Sequence, residues 1–457
     1  MVDLVSGIVP YWAERAPDRI ALREAVRTWT YRELNTAIGD AAAQLTASGV
    51  RGGDRVMLVC ENCAAAVALY FACTVMGAWP IVVNARMTER EIEEIRVHSD
   101  ARIVVHAKPS GVAFSAVNPD CEPEPGRDVA ALIYTSGTTG KPKGVMLTHA
   151  NLMFVARATG EARALCPEDR VYAVLPVSHI LGLTGVLLGS LLAGATVHLA
   201  SRFDPAAALS ADISVMIGTP TMYAMLAEYA GRKGVKPRGL RLISSAGAPL
   251  DMATKIAAET ALGQTLHNGY GITECGPTIT LTPLAAPRAD CGIGRLIPGV
   301  EAKLVADELY VRSPGVMKGY YKSPEETAAA IDAEGWYRTG DLARFEDGSW
   351  FISGRAKEMI IRFGFNVYPA EIEGVLNSHP AVARSAVIGR TRDGTEDILA
   401  FIHAAPGAAP TAAELADYAA SMLAPYKRPT EIRFLAEMPM SPAGKILKSA
   451  LRALAAA

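Results

Sequence analysis

The sequence predicts an α/β fold: a large N-terminal domain with parallel-rich sheets covered by helices, followed by a small mobile C-terminal α+β domain. Three observations support this prediction. Up to about residue 350, short apolar runs alternate with helical segments, as they do in parallel sheets that are covered on both faces. Beyond that point, short strands mix with three helices over roughly 100 residues, the size of a small domain. The length of 457 residues is enough for two to four domains with sizeable cores.

The individual elements follow from hydrophobic periodicity and from helix-start signals. Near the N-terminus, the pattern predicts helices at residues 64–76 and 89–98 and a proline-rich connector at 107–127. Capping boxes, in which Ser or Thr is followed three residues later by Glu, predict helix starts at Thr30, Thr88, Ser323 and Thr411. Apolar runs predict strands at 55–60, 80–84, 102–106, 130–134, 171–175, 215–217, 240–244 and 265–267.

The pattern of elements changes near residues 354–357, which we predict to be the domain boundary. The large domain would span residues 1–353, a hinge residues 354–357, and the small domain residues 358–457. Around and beyond the boundary, the sequence predicts strands at 350–353, 359–362, 384–388, 398–403 and 432–435.

Composition excludes several classes of protein. Lys and Arg number 45 against 47 Asp and Glu, so the chain lacks the basic excess of a protein that binds nucleic acid phosphates. Seven cysteines are too few and too scattered for a disulfide framework. Cys60 and Cys63 form one C-x-x-C without a second pair, so we expect two buried thiols rather than a metal site. The first thirty residues contain no long apolar run, and we expect a cytoplasmic protein.

Residues 171–201 contain no Asp, Glu, Lys or Arg and therefore resemble a membrane span. Pro176, Ser178, His179 and Gly182 interrupt this stretch, which leaves residues 183–193 as the longest uninterrupted helix. A helix of that length cannot cross a bilayer, because spanning needs about 20 apolar residues. We therefore predict no transmembrane segment and a helix buried in the core.

The segment that most clearly indicates a function is YTSGTTGKPKG, residues 134–144. It directly follows an apolar run that is predicted to be a strand. Its glycines let the backbone approach an anion closely, its hydroxyls donate hydrogen bonds, and its lysines supply positive charge. It is not a Walker A loop, because Pro142 stands where that motif needs Ser or Thr after the lysine. The segment predicts a phosphate-binding loop.

Five segments in order, of which the loop is the first, carry a family resemblance. They are residues 134–144, NGYGITE at 268–274, WYRTGDL at 336–342, GRAKEMII at 354–361 continuing to NVYPAE at 366–371, and SPAGK at 441–445. This set resembles the AMP-forming adenylating enzymes, which include acyl-CoA synthetases, luciferases and peptide-synthetase adenylation domains. The resemblance implies a reaction with ATP, Mg²⁺ and, in the acyl-CoA synthetase branch, coenzyme A.

The resemblance also implies a role for individual residues. Glu274 would bind magnesium, Thr273 would touch the α-phosphate, and Lys445 would reach in from the small domain to neutralise charge there. His179 would line the region where the acid and the thiol enter. Residues that would bind the nucleotide or line the thiol channel are Thr135, Ser136, Gly137, Thr138, Thr139, Lys143, Gly247, Ala248, Pro249, Asn268, Gly269, Tyr270, Gly271, Asp341, Arg355 and, in the channel, Gly364.

On this basis we expect an acid–thiol ligase that converts ATP, a carboxylic acid and coenzyme A to acyl-CoA, AMP and pyrophosphate. In the family, the acid pocket is built from residues 179–184, 218–223, 246–247 and 270–279. These stretches contain no Lys or Arg, and their only acidic residue is Glu274. A second carboxylate on the acid would therefore lack a partner, so the sequence favours an apolar monocarboxylic acid, fatty or aromatic.

Two alternatives remain open at this stage. The adenylate could be transferred to the thiol of an external carrier protein, although Lys427 and Arg428 could meet the phosphates of coenzyme A and favour the free cofactor. A binding module without catalysis would explain the glycine loop and the uncharged run, but not Glu274, Asp341 and Lys445. The number of chains in the assembly is left open, with a homodimer as one option.

Overall fold

The computed structural model describes residues 2–136, 142–363, 365–392, 395–440 and 446–456. Its α-helices are α1 Ile8–Arg15, α2 Tyr31–Ala47, α3 Ala64–Met76, α4 Glu89–Ser99, α5 His149–Ala162, α6 Gly189–Leu192, α7 Pro205–Ser210, α8 Pro220–Lys233, α9 Met252–Leu262, α10 Pro324–Ala330, α11 Pro369–Asn377, α12 Ala412–Met422 and α13 Lys448–Ala456. A π-helix, Leu181–Leu188, runs directly into α6.

The strands alternate with these helices along the chain. They are β1 Ile20–Arg23, β2 Thr28–Thr30, β3 Arg55–Cys60, β4 Trp79–Asn84, β5 Ile103–Lys108, β6 Gly111–Val117, β7 Val129–Ser136, β8 Pro142–Thr148, β9 Arg170–Ala173, β10 Thr196–Leu199, β11 Val215–Gly218, β12 Leu242–Ser245, β13 Leu266–Tyr270, β14 Thr280–Leu281, β15 Arg295–Leu296, β16 Glu301–Val305, β17 Glu308–Arg312, β18 Gly319–Tyr320, β19 Tyr337–Glu346, β20 Ser349–Arg355, β21 Ile360–Arg362, β22 Phe365–Val367, β23 Val382–Arg392, β24 Thr395–Ala404 and β25 Glu431–Phe434.

Two large mixed sheets form the body of the N-terminal part. One has the strand order β18-β8-β7-β4-β3-β5-β6, and the other β15-β14-β13-β12-β11-β9-β10-β1-β2. The central pairs are parallel, whereas antiparallel strands occupy the edges. One apolar core joins the two sheets through α3, which is buried over most of its length. The predicted fold class is confirmed, with its parallel-rich sheets covered by helices.

Two smaller sheets follow, one before and one after the predicted domain boundary. Strands β16, β17, β19 and β20 form a four-stranded antiparallel sheet, and β23, β24 and β25 form a three-stranded sheet with its own apolar core. The predicted boundary at 354–357 falls where β20 ends and a short 3-10 helix, Ala356–Glu358, begins. The role of this segment as a hinge stays a prediction.

Several local expectations are confirmed and two are confirmed only in part. Capping boxes are present at Thr30, Thr88 and Thr411. At Ser323 the helix begins as predicted, with Ser323 as its N-cap, but the side chain makes no cap bond and Glu326 pairs with Lys143 at 2.7 Å instead. The connector at 107–127 is partly a strand: β6 pairs antiparallel with β5, since the prolines lie outside that stretch.

The uncharged segment is buried, as expected, but its helix differs from the prediction. It begins at Leu181 as a π-helix in which every residue is buried, and it ends as α6 at Leu192. Within the described residues, no helix has both the length and the apolar character needed to span a membrane. All seven cysteines are free thiols, and Cys60 and Cys63 are buried as predicted.

Asn62 links the two large sheets and fixes the chain that leads to the uncharged segment. Its side-chain amide donates to the carbonyls of Ala173 and Leu175, each at 3.0 Å, and its oxygen accepts from the Val177 amide at 2.9 Å. Asn62 is buried after β3, while the groups it binds follow β9 in the other sheet.

Replacing Asn62 should therefore destabilise the large domain. We expect Asn62→Leu to lower the free energy of unfolding by about 2–4 kcal/mol, because it leaves buried backbone groups without partners. Urea denaturation followed by tryptophan fluorescence would measure this loss. Asn35→Leu, on the half-buried face of α2, is the matched control. Equal stabilities of the two variants would contradict a linking role for Asn62.

Candidate active site

A cavity of about 1800 Å³ lies at the carboxyl ends of β11, β12 and β13. Residues that follow these strands line it, and residues of the small C-terminal part close one side. In sheets of this kind, ligands bind outside the carboxyl ends of the parallel strands. The cavity is therefore where the sequence-predicted residues should meet.

The predicted phosphate loop connects β7 and β8, which pair in antiparallel register with Thr135 opposite Lys143. Both of these residues line the cavity. The Nζ of Lys143 lies 2.7 Å from a carboxylate oxygen of Glu326 and above the ring of Tyr320. Gly137, Thr138 and Thr139 lie outside the described residues, and so does the side chain of Ser136.

Glu274 faces the same cavity from the short 3-10 helix Thr273–Cys275. Its Oε1 accepts a hydrogen bond from the Tyr320 hydroxyl at 3.0 Å, and that hydroxyl lies 3.2 Å from the hydroxyl of Tyr337. Burial raises the pKa of both phenols, and the charge of Glu274 raises it further. Both tyrosines are therefore neutral hydrogen-bonding groups at neutral pH.

This arrangement fits a magnesium ion that is held mainly by phosphates. Mg²⁺ is often bound by one or two protein carboxylates together with substrate phosphates and water. Glu274 supplies one carboxylate close to the phosphate-loop strands. Among the residues that the structure describes, no cluster of three metal-ligating side chains forms a separate metal site.

Asp341 is buried where two sheets meet. In β19 it lies directly opposite Arg355 of β20, and Arg355 Nε is 3.0 Å from Asp341 Oδ1. Tyr270, at the end of β13, donates its hydroxyl proton to Asp341 Oδ2. Burial raises the pKa of Asp341, and Arg355 and Tyr270 only partly oppose this effect. A carboxylate held here can accept a pair of hydroxyl groups.

The predicted adenine wall consists of segments that follow β12 and β13. Gly247, Ala248 and Pro249 line the cavity after β12, and Asn268 to Gly271 line it at the end of β13. Gly271 must be glycine, because an added Cβ would lie 1.7 Å from the Pro277 carbonyl oxygen. Gly247 has a φ of +85°, which favours glycine.

His179 lines the cavity just before the π-helix, and its Nδ1 accepts from the Leu181 amide at 3.3 Å. The structure also brings in a residue that sequence reasoning missed. Arg163, which follows α5, is 3% exposed and lines the same cavity. The four sequence stretches assigned to the acid pocket do lack Lys and Arg, but Arg163, which lies outside them, brings a cation to the same cavity.

The small C-terminal part closes the cavity. Lys357, Glu358 and Lys448 line it, and Lys448 pairs with Glu358 at 3.1 Å. Gly364 and Lys445 lie outside the described residues. Met440 and Ile446, on either side of residues 441–445 in the sequence, both line the cavity.

Lys427 and Arg428 already have intramolecular partners. Lys427 pairs with Glu371 at 2.6 Å, and Arg428 donates to the carbonyls of Leu423 and Ala420. These bonds hold both cations within the small domain. They give no direct support to the suggestion that the two residues meet coenzyme A.

Comparisons with known proteins agree with this geometry. A family model described as AMP-binding enzyme matches residues 9–321, and one described as AMP-binding enzyme C-terminal domain matches residues 371–445. A feruloyl-CoA synthase from Amycolatopsis sp is 32% identical, with 96% of each chain covered. A 4-coumarate–CoA ligase from Oryza sativa subsp. japonica is 31% identical, with 97% of this chain and 91% of the ligase covered.

Solved structures match along the whole chain. ATP-bound MatB from Rhodopseudomonas palustris superposes with a TM-score of 0.89 at 28% identity, with 98% of each chain covered. Apo MatB from the same source gives 0.78, with 99% of each chain covered and again 28% identity. The anthranilate CoA ligase AuaEII with anthranoyl-AMP gives 0.90 at 25% identity, covering 99% of this chain and 98% of that one.

The raised pKa of Asp341 predicts that removing its charge does not destabilise the protein. The folded state binds this proton more tightly than the unfolded chain, whose aspartate pKa is about 3.9. The proton on Asp341 therefore adds to the stability of the folded state at low pH, and this added stability is lost as the pH rises through the higher pKa of the folded state. At pH 7 the ionised Asp341 therefore costs stability.

We expect Asp341→Asn to unfold at pH 7 with a free energy equal to or above that of the parent. Its stability should also depend less on pH between pH 4 and pH 7. Urea titrations at several pH values would measure both effects, with Glu346→Gln at the exposed end of β19 as the control. A clear loss of stability at pH 7 would instead assign Asp341 a structural role.

Proposed function

Because this chain belongs to the AMP-binding enzyme family and is an AMP-forming acyl-CoA synthetase, we propose a role for each part of its cavity. The enzyme uses ATP, Mg²⁺ and coenzyme A, and forms an acyl-adenylate before the thioester. The observation that carries the proposal is the convergence of Lys143, Glu274, Asp341 and Arg355 on one cavity.

The polar half of the cavity binds the nucleotide. Thr135 and Lys143 hold the β- and γ-phosphates, and Glu274 holds Mg²⁺ against them. Asp341 accepts hydrogen bonds from the two ribose hydroxyls, and Arg355 pairs with that carboxylate at 3.0 Å. The ring of Tyr270 and the chain from Gly247 to Pro249 lie on either side of the adenine. Each role is supported by the position of the residue on the cavity wall.

The reaction needs these cations because two anions must meet. A carboxylate is a poor acyl donor, and its attack on the α-phosphorus of ATP creates an anhydride with AMP as a good leaving group. The attacking carboxylate and the triphosphate repel each other, so positive charge must be placed beforehand where negative charge develops. Lys143, Mg²⁺ on Glu274, and Lys445 would supply that charge.

We propose that the acid is monocarboxylic with an apolar body, and that aromatic acids are better substrates than fatty acids. The cavity wall beside His179 is formed by Ile180, Leu181, Pro220 and Ala246, which offer apolar surface. The feruloyl and 4-coumaroyl ligases among the relatives are named for aromatic acids. Reaction in the cytoplasm is part of the proposal, because all seven cysteines are free thiols.

The small domain is proposed to rotate about Lys357 between the two half-reactions. Met440 and Ile446, which flank the Lys445 segment in the sequence, line the cavity in the described orientation, and this supports the proposal. The better superposition on ATP-bound than on apo MatB supports an adenylate-forming orientation. Gly364 and its neighbours would line the thiol channel after rotation.

Product analysis with a panel of acids tests this function. With ATP and Mg²⁺, we expect 4-coumarate and cinnamate to release pyrophosphate and AMP, octanoate to react more slowly, and malonate to react least. The thioester should form only when coenzyme A is added, and EDTA should abolish both steps. Formation of ADP would contradict the reaction, and a preference for malonate would contradict the acid class.

Lys445 should act mainly in adenylate formation. Removing one such charged donor costs on the order of 10²–10³ in rate, so Lys445→Ala should form adenylate more slowly by about that factor. Given synthetic acyl-adenylate, the same variant should transfer it to coenzyme A within about tenfold of the parent rate. Single-turnover assays of the two half-reactions would measure this difference.

The matched control removes an exposed cation that follows Lys445 closely in the sequence. Arg452 lies on α13 and is exposed, so Arg452→Ala should leave both half-reactions close to the parent rates. If Lys445→Ala slowed both half-reactions equally while remaining folded, its assignment to adenylate formation alone would be wrong.

A further inference from the structure

Arg163 is a buried cation whose side chain the proposed roles do not use. It follows the last residue of α5, with its backbone carbonyl facing outward to accept from Arg241. Its side chain points the opposite way, into the protein, and is 3% exposed overall. One nitrogen, Nη1, donates to the Gly185 carbonyl of the π-helix at 2.8 Å.

The rest of the guanidinium has no partner among the described residues. Its Nε and Nη2 are buried without a hydrogen bond. Asp169, which follows Arg163 by six residues, is bound by Arg241 at 2.5 Å and by the Ser214 hydroxyl at 2.7 Å. Burial lowers the pKa of Arg163 to about 10, slightly opposed by the Tyr223 phenol, so the group is still charged at pH 7.

A buried charge without a partner is costly, and proteins rarely keep one unless something binds it. Structural anchoring alone accounts poorly for Arg163, because the bond to Gly185 uses only one of its five N–H donors. A neutral side chain could make the same single bond. Because Arg163 lines the cavity, a ligand that enters there is the candidate partner for the guanidinium.

The position of Arg163 shows which part of a ligand it would meet. The side chain of Leu181 lies between the nucleotide site and Arg163. Its Cδ2 is 3.8 Å from the position that a Cβ atom on Gly247 would occupy. Its Cδ1 is 3.0 Å from the position that a Cβ atom on Gly185 would occupy. The same Cβ position on Gly185 is 3.7 Å from Arg163 Nη1. Arg163 is thus one side chain farther from the nucleotide site than Leu181.

We propose that Arg163 binds an oxygen atom at the end of the acid that is remote from its reacting carboxylate. This inference rests on the proposed function, in which the acid lies along the apolar wall beside His179. Arginine only donates hydrogen bonds, so the partner must be an acceptor. A hydroxyl, ether, carbonyl or carboxylate oxygen satisfies this need, whereas an alkyl group does not.

Pairs of acids that differ in one atom or group test the proposal. In 4-methoxycinnamate and 4-ethylcinnamate, an ether oxygen replaces a methylene group at nearly constant shape. In 7-oxooctanoate and 7-methyloctanoate, a carbonyl oxygen replaces a methyl group on a fatty chain. For the parent enzyme, we expect kcat/KM for pyrophosphate release to be at least about tenfold higher with the oxygen-bearing acid of a pair.

Arg163→Met should remove this preference. We expect the ratio of the two kcat/KM values to fall by about 10- to 100-fold, the range for a hydrogen bond to a charged group. Arg163→Lys should recover part of the ratio, because it restores a charged donor. Arg157→Met, in the helix α5 that precedes Arg163 but with its side chain bonded to the Val2 carbonyl, is the matched control and should keep the parent ratio.

A stability measurement separates binding from anchoring without any substrate. If Arg163 is kept for ligand binding, Arg163→Met should unfold at the same temperature as the parent or higher, since it removes a buried charge without a partner. A melting temperature several degrees lower, together with an unchanged specificity ratio, would overturn the proposal and make Arg163 a structural residue.

The outcomes also distinguish this inference from the proposed function. A preference for a diacid that is lost in Arg163→Met would support the role of Arg163 and overturn the monocarboxylic part of the proposed function. Activation of both acids of a pair with equal kcat/KM by the parent would overturn the role of Arg163 alone. If no acid of either panel released pyrophosphate, the proposed acid class would fail and the stability measurement would decide the role of Arg163.

Discussion

The buried carboxylate of Asp341 is the interaction on which the architecture of the site depends. It joins three parts of the chain: β19, which carries it; β20, which supplies Arg355 opposite; and the end of β13, which supplies the Tyr270 hydroxyl. Burial makes the ionised carboxylate unfavourable, as its raised pKa indicates. This unfavourable burial of a charge occurs where the large sheet, the four-stranded sheet and the domain boundary meet.

From that point the cavity divides into two regions of different chemistry. Glu274, Tyr320 and Tyr337 form a hydrogen-bonded group beside Lys143, so charge and polarity are concentrated at one end. Beside Leu181, the wall includes the apolar Ile180, Pro220 and Ala246 as well as Arg163. The neutral tyrosines matter because they support Glu274 without adding a second negative charge near the phosphates. One continuous cavity can therefore hold a highly charged nucleotide and a largely apolar acid.

Local sequence patterns predicted the elements that depend on residues close together in the chain. They failed where contacts between residues far apart in the sequence determine the structure. Strand β3 and helix α3 have the predicted bounds, because the apolar runs are long and end at clear signals. The helix start at Ser323 was predicted correctly, but its capping box is incomplete, since the Glu326 side chain pairs with a lysine far away in sequence. Motifs placed Glu274 and Asp341 on the cavity, but no motif contains Arg163, whose inward direction depends on the packing of α5 against the π-helix. The roles of Lys445 and Gly364 stay predictions, since both lie outside the described residues.

The ion pair between Lys143 and Glu326 has a consequence for how tightly any phosphate can be held. A lysine already 2.7 Å from a carboxylate oxygen is partly neutralised, so an incoming anion must take the place of Glu326. When the nucleotide binds Lys143, its phosphate replaces the carboxylate of Glu326. Glu326 therefore competes with the phosphate for Lys143. Added salt weakens the old pair and the new one alike, which makes the occupancy of this site less sensitive to ionic strength. Such competition favours release of pyrophosphate once it has left the α-phosphorus.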